Sequence, residues 1–161
     1  MNAIKAAVVT ISDGAHAGTR ADWSGPAVAA RLAEAGHEVV ERIVVPDERA
    51  EIAATLRGLA GRLATGAVFT TGGTGLTPRD VTPEATREVI EKEIPGFGEL
   101  MRAKGLASTP NAVLSRAVSG IRGGVLIVNL PGSTRGAVES LEAVLGLVPH
   151  VLDLINGRTG H

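Results

Sequence analysis

Apolar positions along this chain follow two rhythms that alternate with each other. Lys5 to Ser12, KAAVVTIS, is a nearly unbroken apolar run rich in β-branched residues, which predicts a strand buried on both faces. His37 to Val45 and the short run Ala67-Val68-Phe69 predict a second and a third strand. Between the strands the apolar spacing shifts to three and four. Val28, Leu32 and Ala35 share one helical face after Pro26, and Gly36 ends the helix. Ile52, Leu56, Leu59 and Leu63 share another after the turn Pro46-Asp47-Glu48, with Thr65-Gly66 as the stop. Alternating strand and helix predicts an α/β fold, a parallel sheet with crossover helices and ligands at the carboxyl ends of the strands.

The second half is less regular. Thr82-Pro83-Glu84 places a cap hydroxyl, a proline and an acid at a helix start, and Ile94-Pro95-Gly96 breaks that helix. Short helices are expected near 97–104 and 110–115. Ala117 to Ile121, the turn Arg122-Gly123-Gly124 and Val125 to Leu130 predict an antiparallel pair, making the sheet mixed. Val138, Leu141, Leu145, Val148, Leu152 and Ile155 then predict one core-packing helix kinked at Pro149. With 161 residues, the expected organisation is one domain over 1–161.

Composition narrows the chemistry. The chain has no cysteine, which removes disulfides, thiolate nucleophiles and cysteine-ligated metals, and a cytoplasmic setting is expected. A net charge of −1 and three ring residues, Trp23, Phe69 and Phe97, argue against nucleic acid and anionic membrane as partners. No apolar stretch is long enough to span a bilayer.

The densest chemistry lies in TTGGTGLTPRDVTPEAT, residues 70–86, between the third strand and the next helix. Gly72, Gly73 and Gly75 strip side-chain bulk from a turn, so that backbone amides can approach a phosphate. The turn lacks the Gly-Lys-Ser/Thr end of a P-loop and the glycine spacing of a dinucleotide fingerprint. A second strand-to-glycine turn follows at Leu130-Pro131-Gly132-Ser133-Thr134, where Ser133 and Thr134 either bind phosphate or cap the last helix. The loop DGAHAGTRADWSG after the first strand is long for this kind of fold, a mark of function. Asp13, Asp47 and Asp80 fall at strand ends and would share one rim. Carboxylates beside a phosphate site make sense with a divalent cation between them, which points to a nucleotide with magnesium. Asp47 could equally be an N-cap and Asp13 a turn residue. Arg79 and Arg135, next to the glycine turns, are candidates to neutralise phosphate, ahead of Lys104 and Arg116.

These residues resemble a known family. TISD at 10–13, VPDE at 45–48, TTGGTG at 70–75, RDVTPEAT at 79–86, PGFGELMR at 95–102, LSRAVSG at 114–120 and NLPGST at 129–134 are similar to the molybdopterin-binding family of molybdenum cofactor biosynthesis, most closely its stand-alone adenylyltransferases. The resemblance implies a three-layer α/β/α fold, a homotrimer, and magnesium-dependent adenylylation of molybdopterin by ATP with release of pyrophosphate. It further implies hand-over to a molybdate-inserting transferase. Asp47 and Asp80 match the catalytic acids and are the implied metal ligands. The implied molybdopterin and nucleotide contacts are Ser12, Asp13, Thr71, Gly72, Gly73, Thr74, Gly75, Arg79, Pro131, Gly132, Ser133 and Thr134. One departure exists: adenylyltransferases of the family often have a proline two places beyond the PG of the second turn, where this chain has Thr134. That turn is closer to a sister branch, so the alternative is a non-catalytic molybdopterin-binding or assembly protein.

Overall fold

The structure, a computed structural model, describes residues 3–160; Met1 and Asn2 of the N-terminal stretch read above, and His161, lie outside it. Six strands form one mixed sheet: β1 (Lys5–Ile11), β2 (Glu38–Val45), β3 (Thr65–Thr71), β4 (Lys92–Glu93), β5 (Ser119–Arg122) and β6 (Gly124–Leu130), in the order β2-β1-β3-β6-β5-β4. β2, β1, β3 and β6 run parallel, so their carboxyl ends share one edge. β5 turns back antiparallel onto β6 through Gly123, whose φ of +56° suits the tight hairpin, and β4 extends that edge.

Helices cover both faces, and the pleat decides which residue serves which face. Ala6, Val8, Phe69, Leu126 and Val128 pack with Val28 and Leu32 of α2 (Ser24–Glu34), Phe97 and Met101 of α5 (Pro95–Gly105), Leu141 of α6 (Thr134–Leu145) and Leu152 of α7 (Val148–Ile155). Their neighbours Ala7, Val9, Val68 and Ile127 pack on the other face with Ile52, Leu56 and Leu59 of α3 (Arg49–Leu63) and Val89 of α4 (Thr82–Val89). Successive strand residues therefore serve opposite layers, which is why the central strands read as continuous apolar runs.

Several expectations shift. Thr65-Gly66 begins β3 instead of merely ending α3; the reversal falls on Ala64, a non-glycine residue at φ +57°. The terminal helix is two helices, with Pro149 in the first turn of α7, where its missing amide costs nothing. The loop after β1 contains a short helix, α1 (Asp13–Ala17), capped by the Ser12 hydroxyl. Thr82 lies inside α4 and does not cap it: its hydroxyl donates to the Gly72 carbonyl at 2.9 Å. The segment at 110–115 is a single tight turn of 3-10 helix, Pro110–Leu114. Among the described residues, no helix is long and apolar enough to cross a membrane.

Candidate active site

The parallel strands deliver the predicted residues to one edge, and backbone bonds tie the strand exits together. The Ser12 amide donates to Val45 O at 3.0 Å, Gly72 N to Leu130 O at 3.2 Å, and Thr71 Oγ1 to Pro131 O at 2.7 Å. Gly72 has φ +109°, and a Cβ there would lie 2.2 Å from Ile11 O. Gly73 has φ +69°, and a Cβ there would lie 2.2 Å from Thr82 Oγ1 and 3.1 Å from Asp47 Oδ1. Close backbone approach therefore requires glycine at both positions.

The three carboxylates differ in their surroundings. Asp47 is not the N-cap of α3, a position Glu48 occupies; Asp47 Oδ2 instead accepts the Asp13 amide, the first of α1, at 2.9 Å. Arg79 donates to Asp13 from Nε at 3.0 Å and from Nη2 at 3.1 Å, and to Glu48 at 2.8 Å. The hydrogen-bonded guanidinium holds the Asp13 carboxyl below the usual carboxylate range. Burial pushes the Asp47 carboxyl up, the Asp13 amide opposes this, and the negative charges of Asp13 and Asp80 add to the rise. Asp80 closes its own turn, with Oδ2 accepting from Thr77 N at 2.9 Å and Thr77 Oγ1 at 2.8 Å. Asp47 Oδ1 and Asp80 Oδ1 have no hydrogen-bond partner among the described residues. Two mutually repelling carboxylates, each with an oxygen to spare, suit a cation that completes its shell with water and phosphate. No cluster of three or more candidate ligands exists among the described residues.

A cavity of about 430 Å³ brings together Ser12, Asp47, Thr71, Gly72, Gly73, Asp80, Gly132, Ser133 and Thr134. An adjoining one of about 490 Å³ shares Gly73, Asp80 and Gly132 and takes in Thr74, Gly75 and Pro131. Asp13 and Arg79 line neither; their charges are spent on each other. Arg135 is paired with Glu139, and Ser133 caps α6 through the Gly136 amide at 3.1 Å.

One set of residues escaped the sequence reading, and one residue named there as a phosphate candidate has a different role. Arg20, Asp22, Trp23 and Ser24 line the larger cavity, and the length of the loop that carries them was the available signal. Arg116 braces the glycine turn from afar, donating to Gly75 O at 2.8 Å, Asp80 O at 2.9 Å and Glu84 Oε2 at 2.7 Å. The sequence marks it within LSRAVSG, but as a phosphate candidate, whereas its guanidinium is engaged by Glu84 and by two carbonyls of the turn.

A mixed sheet with two glycine turns at its carboxyl edge is the architecture of an α/β protein that binds small ligands there. Residues 7–150 match the family model described as a probable molybdopterin binding domain, and the chain belongs to that family. It is 43% identical over 160 residues to a molybdopterin adenylyltransferase of Helicobacter pylori, covering 98% of this chain and 91% of that protein. The crystal structure of the molybdopterin biosynthesis enzyme MoaB from Thermus thermophilus superposes with a TM-score of 0.88 at 49% identity, over 96% of this chain and 97% of that one. The tungsten cofactor synthesizing protein MoaB of Pyrococcus furiosus superposes with a TM-score of 0.86 at 36% identity, over 96% and 98% of the two chains.

Proposed function

We propose that this chain is a molybdopterin adenylyltransferase of molybdenum cofactor biosynthesis. The observation that carries the reading is that Asp47 and Asp80 line one cavity together with residues of both glycine turns. In the reaction, an oxygen of the terminal phosphate of molybdopterin forms a bond to the α-phosphorus of ATP. The bond from that phosphorus to the bridging oxygen breaks, and pyrophosphate leaves with the electron pair. The nucleophile is already ionised near neutral pH, so the task is to align two anions and offset their repulsion. Amides of Gly73 to Gly75 and of Gly132 to Thr134 bind phosphate oxygens, Gly72, whose own amide is bonded to Leu130 O, shapes the turn, and Ser12 and Thr71 close the pocket. Asp13 and Arg79 support the rim through Asp47 and Glu48. Asp80 and Asp47 are the groups that would hold magnesium. When bound, the ion neutralises phosphate charge.

The reading includes a homotrimer, a cytoplasmic setting, and a molybdate-inserting transferase as recipient, with no nucleic acid or membrane partner. Purified protein given molybdopterin, ATP and magnesium is expected to release pyrophosphate. Asp80→Ala is expected to abolish release while leaving the fold and molybdopterin binding in place. Molybdopterin binding without pyrophosphate release by the unaltered protein would establish the second reading, a non-catalytic binding or assembly protein. The Pro131-Gly132-Ser133-Thr134 turn is the feature that favours this alternative.

A further inference from the structure

Trp23 is the largest apolar side chain available to this protein, and it is 74% exposed. The two phenylalanines, Phe69 and Phe97, are buried, 0% and 5% exposed. Trp23 lines the cavity that holds Asp47 and Asp80, where it is the only aromatic lining residue among the described residues. The backbone beneath it is firmly held. Asp22 Oδ2 accepts the Thr10 hydroxyl at 2.9 Å, and Asp22 Oδ1 accepts the Gly25 amide at 3.0 Å. Gly25 packs so closely that a Cβ would lie 2.3 Å from Thr10 Oγ1. Trp23 is the N-cap of α2, yet its side chain makes no cap bond. Its indole is thus an exposed ring on a fixed mount beside a polar cavity.

Glycine turns and carboxylates answer the phosphate end of a ligand, and in the cavity that holds Asp47 and Asp80 the flat surface left for a heterocycle is an indole. We propose that Trp23 is that wall, a stacking platform for the fused nitrogen heterocycle of a substrate, either the purine of the nucleotide or the pteridine of the pterin. The proposal rests on the adenylyl-transfer reading for the identity of the two rings. Stacking on the indole fixes the ring and, through it, the angle at which the attached phosphates enter the glycine turns. Trp23 is therefore a positioning and specificity residue, not a reacting group.

Trp23 is the single tryptophan in a chain without tyrosine, so its emission reports on this position alone. ATP with magnesium is titrated against the protein, with inorganic tripolyphosphate as the ligand that has the charge but lacks the ring. Saturable quenching by ATP and none by tripolyphosphate is expected if the purine stacks. Steady-state kinetics of Trp23→Ala and Trp23→Phe form the second arm. Trp23→Ala is expected to raise KM about tenfold, the order of one stacked base, for one co-substrate with kcat nearly unchanged, and Trp23→Phe to restore most of it. The co-substrate whose KM rises names the ring. Thermal melts of both variants should match the parent, because the side chain is exposed. Pyrophosphate release with unchanged emission and unchanged KM values in Trp23→Ala overturns the platform and leaves adenylyl transfer standing. An equal emission change with tripolyphosphate, accompanied by unchanged KM values, overturns it too. Ring-dependent quenching by ATP without pyrophosphate release overturns adenylyl transfer and leaves the platform standing.

Discussion

Asp13 and Asp47 each accept the other's backbone amide, Asp13 N to Asp47 Oδ2 and Asp47 N to Asp13 Oδ1, both at 2.9 Å. The reciprocal clasp ties the exit of β1 to the exit of β2 and makes two similar residues electrostatically unequal. Asp13 lies under the Arg79 guanidinium and is held ionised, whereas Asp47 is buried and also feels the charges of Asp13 and Asp80. One acid anchors, and the other is kept in tension at the cavity.

Asp47→Asn separates charge from geometry, since an amide oxygen can still accept from Asp13 N. A carboxyl with a raised folded pKa binds its proton more readily in the folded state. Its contribution to stability therefore rises as pH falls through the window between the folded value and the usual 3.8, and above that window the ionised group is a constant penalty. The neutral amide removes the penalty. Asp47→Asn should melt above the parent at neutral pH while its rate of pyrophosphate release falls about a hundredfold. Melting curves and pyrophosphate assays on the same preparation check both halves, and a lower melting temperature would contradict the assigned strain.

Gly73→Ala tests whether the glycine turn is sterically closed. At φ +69° with 2.2 Å to Thr82 Oγ1, an added methyl must displace the start of α4 or twist the turn toward Asp47. The expected cost is about 1–3 kcal/mol, together with loss of activity. Gly61→Ala is the internal control: Gly61 lies within α3 with nothing within 4 Å of the new Cβ, so the variant should gain about 0.5–1 kcal/mol. Denaturant titrations should move in opposite directions for the two substitutions.

How far the sequence disclosed this site depended on how local each interaction is. Gly72 and Gly73 were legible because a strand, a turn and a helix start follow one another without interruption. The antiparallel β5–β6 pair was legible from its glycine turn. The two-residue β4 has no periodicity to read, and it forms only because β5 offers Ile121 and Gly120 as partners for Lys92 and Glu93. The role of Thr82 was misread because a hydroxyl at a helix start looks like a cap, whereas the Gly72 carbonyl brought beside it by the fold accepts its hydrogen bond. Asn129 looks like an ordinary polar break in β6. Buried, it donates to Thr70 and Thr86 and accepts the Val118 amide, joining three elements that sequence spacing keeps apart.

Arg116→Lys isolates another long-range contact. Lysine keeps a charge for Glu84, but one ammonium cannot span Gly75 O and Asp80 O as the guanidinium does. Because the pair is partly exposed, the expected loss is only about 1 kcal/mol. The sharper effect should be local, with faster hydrogen exchange at the Thr77 and Asp80 amides and a higher KM. Unchanged exchange at those amides would show that the turn holds itself.

His37 gives the fold a pH dependence independent of the site. It is 6% exposed, its Nδ1 accepts the Ile4 amide at 3.2 Å, and its Nε2 has no partner among the described residues. Burial lowers its pKa below the usual 6.5, so the unfolded chain takes up a proton before the folded protein does. Stability is therefore full above about pH 6.5 and declines as pH falls through the window from there down to the folded value. His37→Asn keeps an oxygen acceptor for Ile4 N and removes the titration. Between about pH 7.5 and about pH 5.5, the denaturation midpoint of the parent should fall more steeply than that of the variant. Parallel slopes would mean that His37 is protonated in the folded protein and its acceptor bond to Ile4 is lost.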